Sequence, residues 1–131
     1  MRINVIGSGY MGKQISALLR LIGFDVLIWN YNNKDLSNDI NHETRKLEKI
    51  LKIKALGTSS FESNLNKFEN NFTIETVKEN LDIKKKIIES LNYKENIFSN
   101  TSSLKLSKIG DYVNGFHFMN PVTTKFIEIC K

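Results

Sequence analysis

Apolar residues open the chain as a short run, Ile3 to Ile6, and then recur at helical spacing in Met11, Ile15, Leu18, Leu19 and Ile22. The pattern predicts a strand over Arg2 to Ile6 and a helix over Met11 to Ile22, with Gly23 as the C-cap that stops it. The next run, Val26-Leu27-Ile28-Trp29, does not alternate, as expected for a parallel strand covered on both faces. The chain therefore begins with a βαβ unit. Asn30 to Asn41 is rich in Asn and Asp and predicts a loop, after which His42 to Ala55 carries Leu47, Ile50, Leu51 and Ile53 on one helical stripe. Gly57 to Asn71 supports a short strand near Ser59 to Phe61 and then a polar turn or helical piece. Phe72 to Val77 alternates into a strand, Leu81 to Leu91 forms an amphipathic helix, and Ile97 to Ser99 returns as a strand. Ser102 or Ser103 can cap a short helix over Lys105 to Ile109. Gly115 to Phe118 and Phe126 to Cys130 are the last two strands, with Pro121 in the loop between them. Strands alternating with helices predict an α/β chain: a doubly wound, mostly parallel sheet with helices on both faces.

A length of 131 residues suits one domain, residues 1–131, with an independent core. Nineteen Lys and Arg against fourteen Asp and Glu give a net charge of +5, but the bases are scattered among acids. That distribution reads as a solvated surface and not as the basic stripe with interleaved aromatics that nucleic acid requires. Cys130, the single cysteine, has no internal partner. The chain opens on a core strand without the segments of a secretory leader, and no apolar run nears the roughly 20 residues of a membrane span. The expected setting is a reducing, cytoplasm-like compartment without a membrane anchor and without a metal site.

The first motif with chemistry is Gly7-Ser8-Gly9-Tyr10-Met11-Gly12, a G-x-G-x-x-G between the first strand and the first helix. Gly7 permits the tight turn, Gly9 removes a Cβ that would hold a pyrophosphate off the backbone, and Gly12 lets the helix approach the strand. The free N–H groups of the helix start then face an anion. A dinucleotide is the expected ligand. At the end of the second strand, where an acid normally accepts from the adenosine ribose, the residue is Asn30. Its amide oxygen can accept, but it lacks the charge that would repel a 2′-phosphate. NAD is favoured because no Arg is near, while Lys34 leaves NADP open.

Further along, Glu79-Asn80-Leu81, Ser99-Asn100-Thr101-Ser102-Ser103-Leu104 and His117-Phe118-Met119-Asn120-Pro121-Val122, with Glu128 beyond, occur in an order and at separations that resemble the NAD-binding domain of the 3-hydroxyacyl-CoA dehydrogenases over nearly the whole chain. The resemblance implies a Rossmann-type domain and an oxidoreductase that moves a hydride between NAD and C3 of an acyl-CoA. It makes His117 the base that takes the hydroxyl proton, a task suited to a group with a reference pKa of about 6.5. It makes Glu128 the carboxylate that orients His117, and Ser102 the hydroxyl that contacts both cofactor and substrate. Asn120 would hold the nicotinamide amide, and Glu79 and Lys84 would lie near the nicotinamide ribose and ring.

Without the resemblance, several of these residues have plainer readings: His117 as a core histidine bonded to a neighbouring strand, Ser102 as a helix cap, Glu79 as a helix-start acid and Lys84 as an exposed lysine. Glu128 follows His117 by eleven residues, one fewer than the family spacing. Since a one-residue shift in a strand turns a side chain to the other face, the lost residue must be absorbed in Val122 to Lys125. The family's helical arm is shortened to about residues 42–71. In it Lys46, Lys49 and Lys52 share a face that could meet phosphates but reads more simply as solvated. The family's C-terminal helical domain, which supplies dimer contacts and much of the acyl pocket, has no counterpart here. The resemblance thus implies a fragment or shortened relative completed by a missing domain or partner, with a homodimer possible. The alternatives are a dinucleotide-binding module without catalysis, such as a redox sensor or partner-completed subunit, and a β-hydroxyacid dehydrogenase, which leaves the SNTSS and HFMNP segments unexplained.

Overall fold

A computed structural model describes residues 1–32, 34–124 and 127–130. The opening unit is β1 (Arg2–Ile6), α1 (Tyr10–Leu21) and β2 (Asp25–Trp29). α1 ends as the glycine predicts: Gly23 takes φ +97°, and the Gly23 and Phe24 N–H groups return to the Arg20 and Leu19 carbonyls, the paired bonds of a Schellman stop.

The next element corrects the sequence reading. Helix α2 (Ser37–Leu51) begins inside the expected loop and ends before Ala55. The Asp35 carboxylate accepts from the Ser37 N–H at its start. The buried stripe is Leu36, Ile40, Thr44 and Leu47, so Ile50 and Ile53, expected on the core face, are 61% and 46% exposed. A threonine obscures the stripe in the sequence; its hydroxyl is satisfied by the Ile40 carbonyl, as such a buried group must be. β3 (Ser59–Glu62) follows, then a 3-10 turn over Leu65–Lys67.

The remaining elements are β4 (Phe72–Glu75), α3 (Leu81–Glu89), β5 (Ile97–Ser99), α4 (Leu106–Ile109), β6 (Asn114–Phe118) and β7 (Ile127–Cys130), with a 3-10 turn over Val122–Thr124. Phe126, expected in the last strand, lies outside the described residues. Neither Ser102 nor Ser103 caps α4, whose first flanking residue is Lys105 with no side-chain cap. Strand order is β3-β2-β1-β4-β5-β6-β7, parallel throughout except the antiparallel pair β6 and β7. The order reverses between β1 and β4, and the crevice outside their carboxyl ends is where such sheets bind ligands.

Each sheet face has its own core. Ile3, Val5, Val26, Ile28 and Ile74 pack with Ile15, Ala17 and Leu19 of α1 and with Ile40 and Leu47 of α2. Ile6, Trp29 and Ile97 pack on the other side with Ile88, Leu91, Ile109 and Val113. Fully burying one such aliphatic side chain stabilises the fold by about 1.5–3 kcal/mol. The first face is not covered along its whole length. Phe72 and Phe98 stack at 4.3 Å between ring centroids, and Phe116 meets both rings edge-on. All three are half-buried, and beyond them Ile127 and Ile129 are 45% and 69% exposed.

Candidate cofactor and catalytic site

The turn from β1 into α1 is packed from below and open above. Gly7 has φ +118°, a conformation that L side chains rarely adopt, and a Cβ there would stand 2.8 Å from the Thr76 hydroxyl. Around a Cβ on Gly9, by contrast, there is nothing within 4 Å. No side chain caps the start of α1, so the N–H groups of Tyr10, Met11 and Gly12 face that space. Thr76, just past β4, locks the turn from beneath through bonds from its hydroxyl to the Gly7 and Ile6 carbonyls, at 3.1 and 3.3 Å. This open cradle with free donors fits a dinucleotide pyrophosphate. Asn30 is buried at the end of β2. Its amide oxygen accepts from the Ser8 hydroxyl at 3.2 Å and its NH₂ donates to the Lys34 carbonyl, so it ties the glycine turn to the following loop.

Two clefts flank the turn and share Tyr10, Met11, Thr76 and Val77. One, of about 420 Å³, runs along Gly7, Ser8 and Gly9 toward Trp29 and Tyr31. The other, of about 450 Å³, holds Glu79, Lys84, Ser102, His117 and Asn120. Across it the Tyr10 hydroxyl reaches the Asn120 side-chain oxygen at 3.5 Å. A third cleft, of about 290 Å³, shares Ser102 and His117 with the second and adds Lys105, Glu128 and Cys130. Ser102 and His117 therefore stand between two spaces. The residues expected at the site line these clefts except Gly12, which packs under the turn against Gly7 and Thr76, and Asn30, which is bonded to Ser8.

His117 and Glu128 are directly opposed across β6 and β7, and His117 Nδ1 is 3.7 Å from Glu128 Oε2. That separation is an electrostatic contact and exceeds hydrogen-bond length. As register partners, the two side chains emerge on the same face of the sheet. His117 is partly exposed and Glu128 largely so.

Lys84, which unaided sequence reading leaves in solvent, is 1% exposed. From α3 its ammonium donates to Glu75 Oε1 at 2.8 Å and Oε2 at 3.1 Å, to the Val77 carbonyl at 3.1 Å, and lies 3.3 Å from Glu79 Oε2. An unpaired charge could not stay there, so the two carboxylates are the condition for its burial. Burial pushes the Glu75 carboxyl up from its ordinary range. Burial also pushes Glu79 upward, but the Thr101 hydroxyl, the Lys84 charge and Ser103 outweigh it and hold Glu79 at about 2. Glu79 Oε1 collects four donors: the Thr101 and Ser103 hydroxyls and the Ser102 and Ser103 N–H groups. Glu75 and Thr76 were not singled out in the sequence, where the available signal was an acid and a threonine at the carboxyl end of β4, beside the switch point; Ser99 and Thr101 stood in the SNTSS segment without roles of their own.

A parallel sheet of this order with a glycine turn at its switch point defines a Rossmann-type dinucleotide-binding domain. A family profile described as 3-hydroxyacyl-CoA dehydrogenase, NAD binding domain, matches residues 2–131, and the chain belongs to that family. Among similar proteins, a probable 3-hydroxybutyryl-CoA dehydrogenase of Deinococcus radiodurans is 30% identical over 93% of this chain and 51% of its own length. A glyoxysomal fatty acid β-oxidation multifunctional protein of Brassica napus is 26% identical over 92% of this chain and 19% of its own. The 3-hydroxybutyryl-CoA dehydrogenase structure from Escherichia coli K12 superposes with a TM-score of 0.80 at 24% identity, over 98% of this chain and 32% of that one. The chain thus spans about half or less of the length of these relatives. No helix among the described residues is long and apolar enough to cross a membrane.

Proposed function

We propose that this chain is the NAD-binding, base-carrying part of a 3-hydroxyacyl-CoA dehydrogenase, working in a reducing compartment such as the cytoplasm. The observation that carries the proposal is His117: it lies on the wall shared by two clefts, with Glu128 opposite its Nδ1. In this reading, residues 1–131 form one domain with a shortened helical arm near residues 42–71. The N–H groups of Tyr10, Met11 and Gly12, at the turn formed by Gly7, Ser8 and Gly9, would hold the NAD pyrophosphate, Asn120, Glu79 and Lys84 would hold its nicotinamide end, and Asn30 its adenosine end. When bound, the nicotinamide supplies the acceptor for the hydrogen that leaves C3 with its electron pair. His117 Nε2, the nitrogen turned away from Glu128, takes the hydroxyl proton and becomes imidazolium. Glu128 stabilises that charge and holds the ring, and Ser102 donates to the forming carbonyl from the same wall.

A second reading, a dinucleotide-binding module without catalysis that docks on a partner, draws support from the half-covered aromatic face of Phe72, Phe98 and Phe116. The two readings separate in one assay: acetoacetyl-CoA reduction by NADH, with this chain alone and with the helical domain of a relative supplied. We expect slow turnover by residues 1–131 alone, because the clefts beside His117 are open to solvent and do little to hold an acyl-CoA against the nicotinamide, and clear turnover in the complemented mixture. His117→Gln should lower that rate by about 10²–10⁴-fold while sparing NADH binding, and Glu128→Gln should lower it less. NADH binding without turnover in any mixture would leave the non-catalytic module standing.

A further inference from the structure

We propose that Glu75 is a positioning residue which, through Lys84 and Glu79, sets the segment carrying Ser102 opposite His117; this rests on the dehydrogenase reading above. Glu75 closes β4 and is fully buried. Its carboxylate has only acceptor sites, and donors fill them: Lys84 Nζ on both oxygens, the Val77 N–H on Oε1 at 2.6 Å, and the Ser99 hydroxyl on Oε2 at 2.5 Å. A carboxylate held by four hydrogen bonds from three segments is fixed in its rotamer, and with it the place of the Lys84 ammonium. From there Lys84 meets Glu79 Oε2. Glu79 in turn spends Oε1 on the segment from Thr101 to Ser103, including the Ser102 and Ser103 N–H groups at 3.1 and 3.2 Å.

The main chain of Glu75 reaches the opposite wall. Its carbonyl accepts from the Asn100 N–H at 2.8 Å, and the Asn100 side-chain oxygen accepts from the Phe118 N–H at 2.8 Å, next to His117. Both walls of the cleft hang from one buried residue, which does not line either cleft itself. Pairing two buried charges is a poor way to gain stability, since an apolar pair of similar volume commonly does as well or better. A relay gives this pair a use that stability does not. The catalytic contact remains with Ser102 and His117; Glu75 acts only through others.

The test compares the wild-type chain with Glu75→Leu/Lys84→Met, which replaces the ion pair by apolar volume, and with Ser99→Ala, which removes one donor to Glu75 and the acceptor of the Thr101 N–H and leaves the pair. Three quantities are read: the thermal midpoint, hydrogen exchange of the Ser102 and Ser103 amides, and acetoacetyl-CoA reduction in the complemented assay together with NADH affinity. The relay requires that the folded double variant exchange the two amides at least tenfold faster and lose at least tenfold in kcat at saturating NADH; NADH affinity is read only to secure saturation, because Lys84 lines the cofactor cleft. Ser99→Ala should speed exchange at least twofold at an unchanged midpoint. Wild-type exchange and kcat in the folded double variant would overturn the proposal by showing the pair to be merely structural. Should the double variant not fold, Ser99→Ala decides, and unchanged exchange there overturns it. If the wild type never turns over, the dehydrogenase reading fails, while the exchange measurements still judge the relay on their own.

Discussion

Gly9 and Glu79 make opposite demands on the site, one for empty space and one for contacts. Because a Cβ on Gly9 would meet no protein atom, Gly9→Val should leave the fold standing and crowd only what lies above the turn. Calorimetry with NADH should then register a loss of several kcal/mol in binding, on the order of a close clash with the pyrophosphate, while the melting temperature stays near wild type. Equal affinity would show that the cofactor does not approach Gly9. Glu79 titrates at about 2 instead of its ordinary 4.5. A carboxyl whose folded value is depressed contributes stability that is present above its unfolded value and lost as pH falls. The Glu79 contribution should therefore fade between about pH 4.5 and 2. Glu75 is shifted in the opposite direction, because burial raises its carboxyl and the Lys84 charge and the Ser99 and Val77 donors only partly offset it. A carbon-detected titration of Glu79 in Thr101→Val and Ser103→Ala should move its midpoint up from about 2, since each substitution removes a hydroxyl donor. A midpoint that stays put would mean that these donors do not hold it.

Helix α2 shows at the scale of an element where periodicity misleads. Leu47, Ile50, Leu51 and Ile53 invite a stripe, yet the core face runs through Leu36, Ile40, Thr44 and Leu47, half of it hidden in a stretch rich in Asn and Asp. Ile40→Ala should cost about 2–5 kcal/mol, while Ile50→Ala at an exposed position should fall within about ±0.5 kcal/mol. Urea denaturation of the two variants checks this, and a reversed order would return the core face to the position that the apolar spacing suggests. β1 and β2 follow their patterns closely, whereas in α1 the stripe holds at Ile15 and Leu19 but not at Ile22, which is 55% exposed just past the helix end.

For the whole molecule, the notable asymmetry is the sheet face that α1 and α2 cover only in part. A parallel sheet buries both faces, and here the aromatic surface of Phe72, Phe98 and Phe116 with Ile127 and Ile129 retains access to water. This chain should bind a hydrophobic dye such as ANS in its folded state. Phe98→Lys should reduce the dye signal, and so should a supplied helical domain if it seats on this face. No dye binding by the folded chain would mean that the surface closes on itself.

Where a feature depends on neighbours in the chain, the sequence was sufficient. The glycine turn, the helix stop at Gly23 and the β/α alternation all come from local backbone geometry and spacing, and the SNTSS and HFMNP segments pointed to the family through residue identity. What required the tertiary structure was everything carried by residues distant in sequence. Lys84 looks like a solvent lysine because its partners, Glu75 and Glu79, meet it only after β4 and α3 have packed. Glu128 comes opposite His117 because strand register, set by the antiparallel backbone pairing of β6 with β7, decides the face on which a side chain emerges. The fold class was legible along one dimension. The charges within the site were not, because the energy of burying a charge depends on what surrounds it in three.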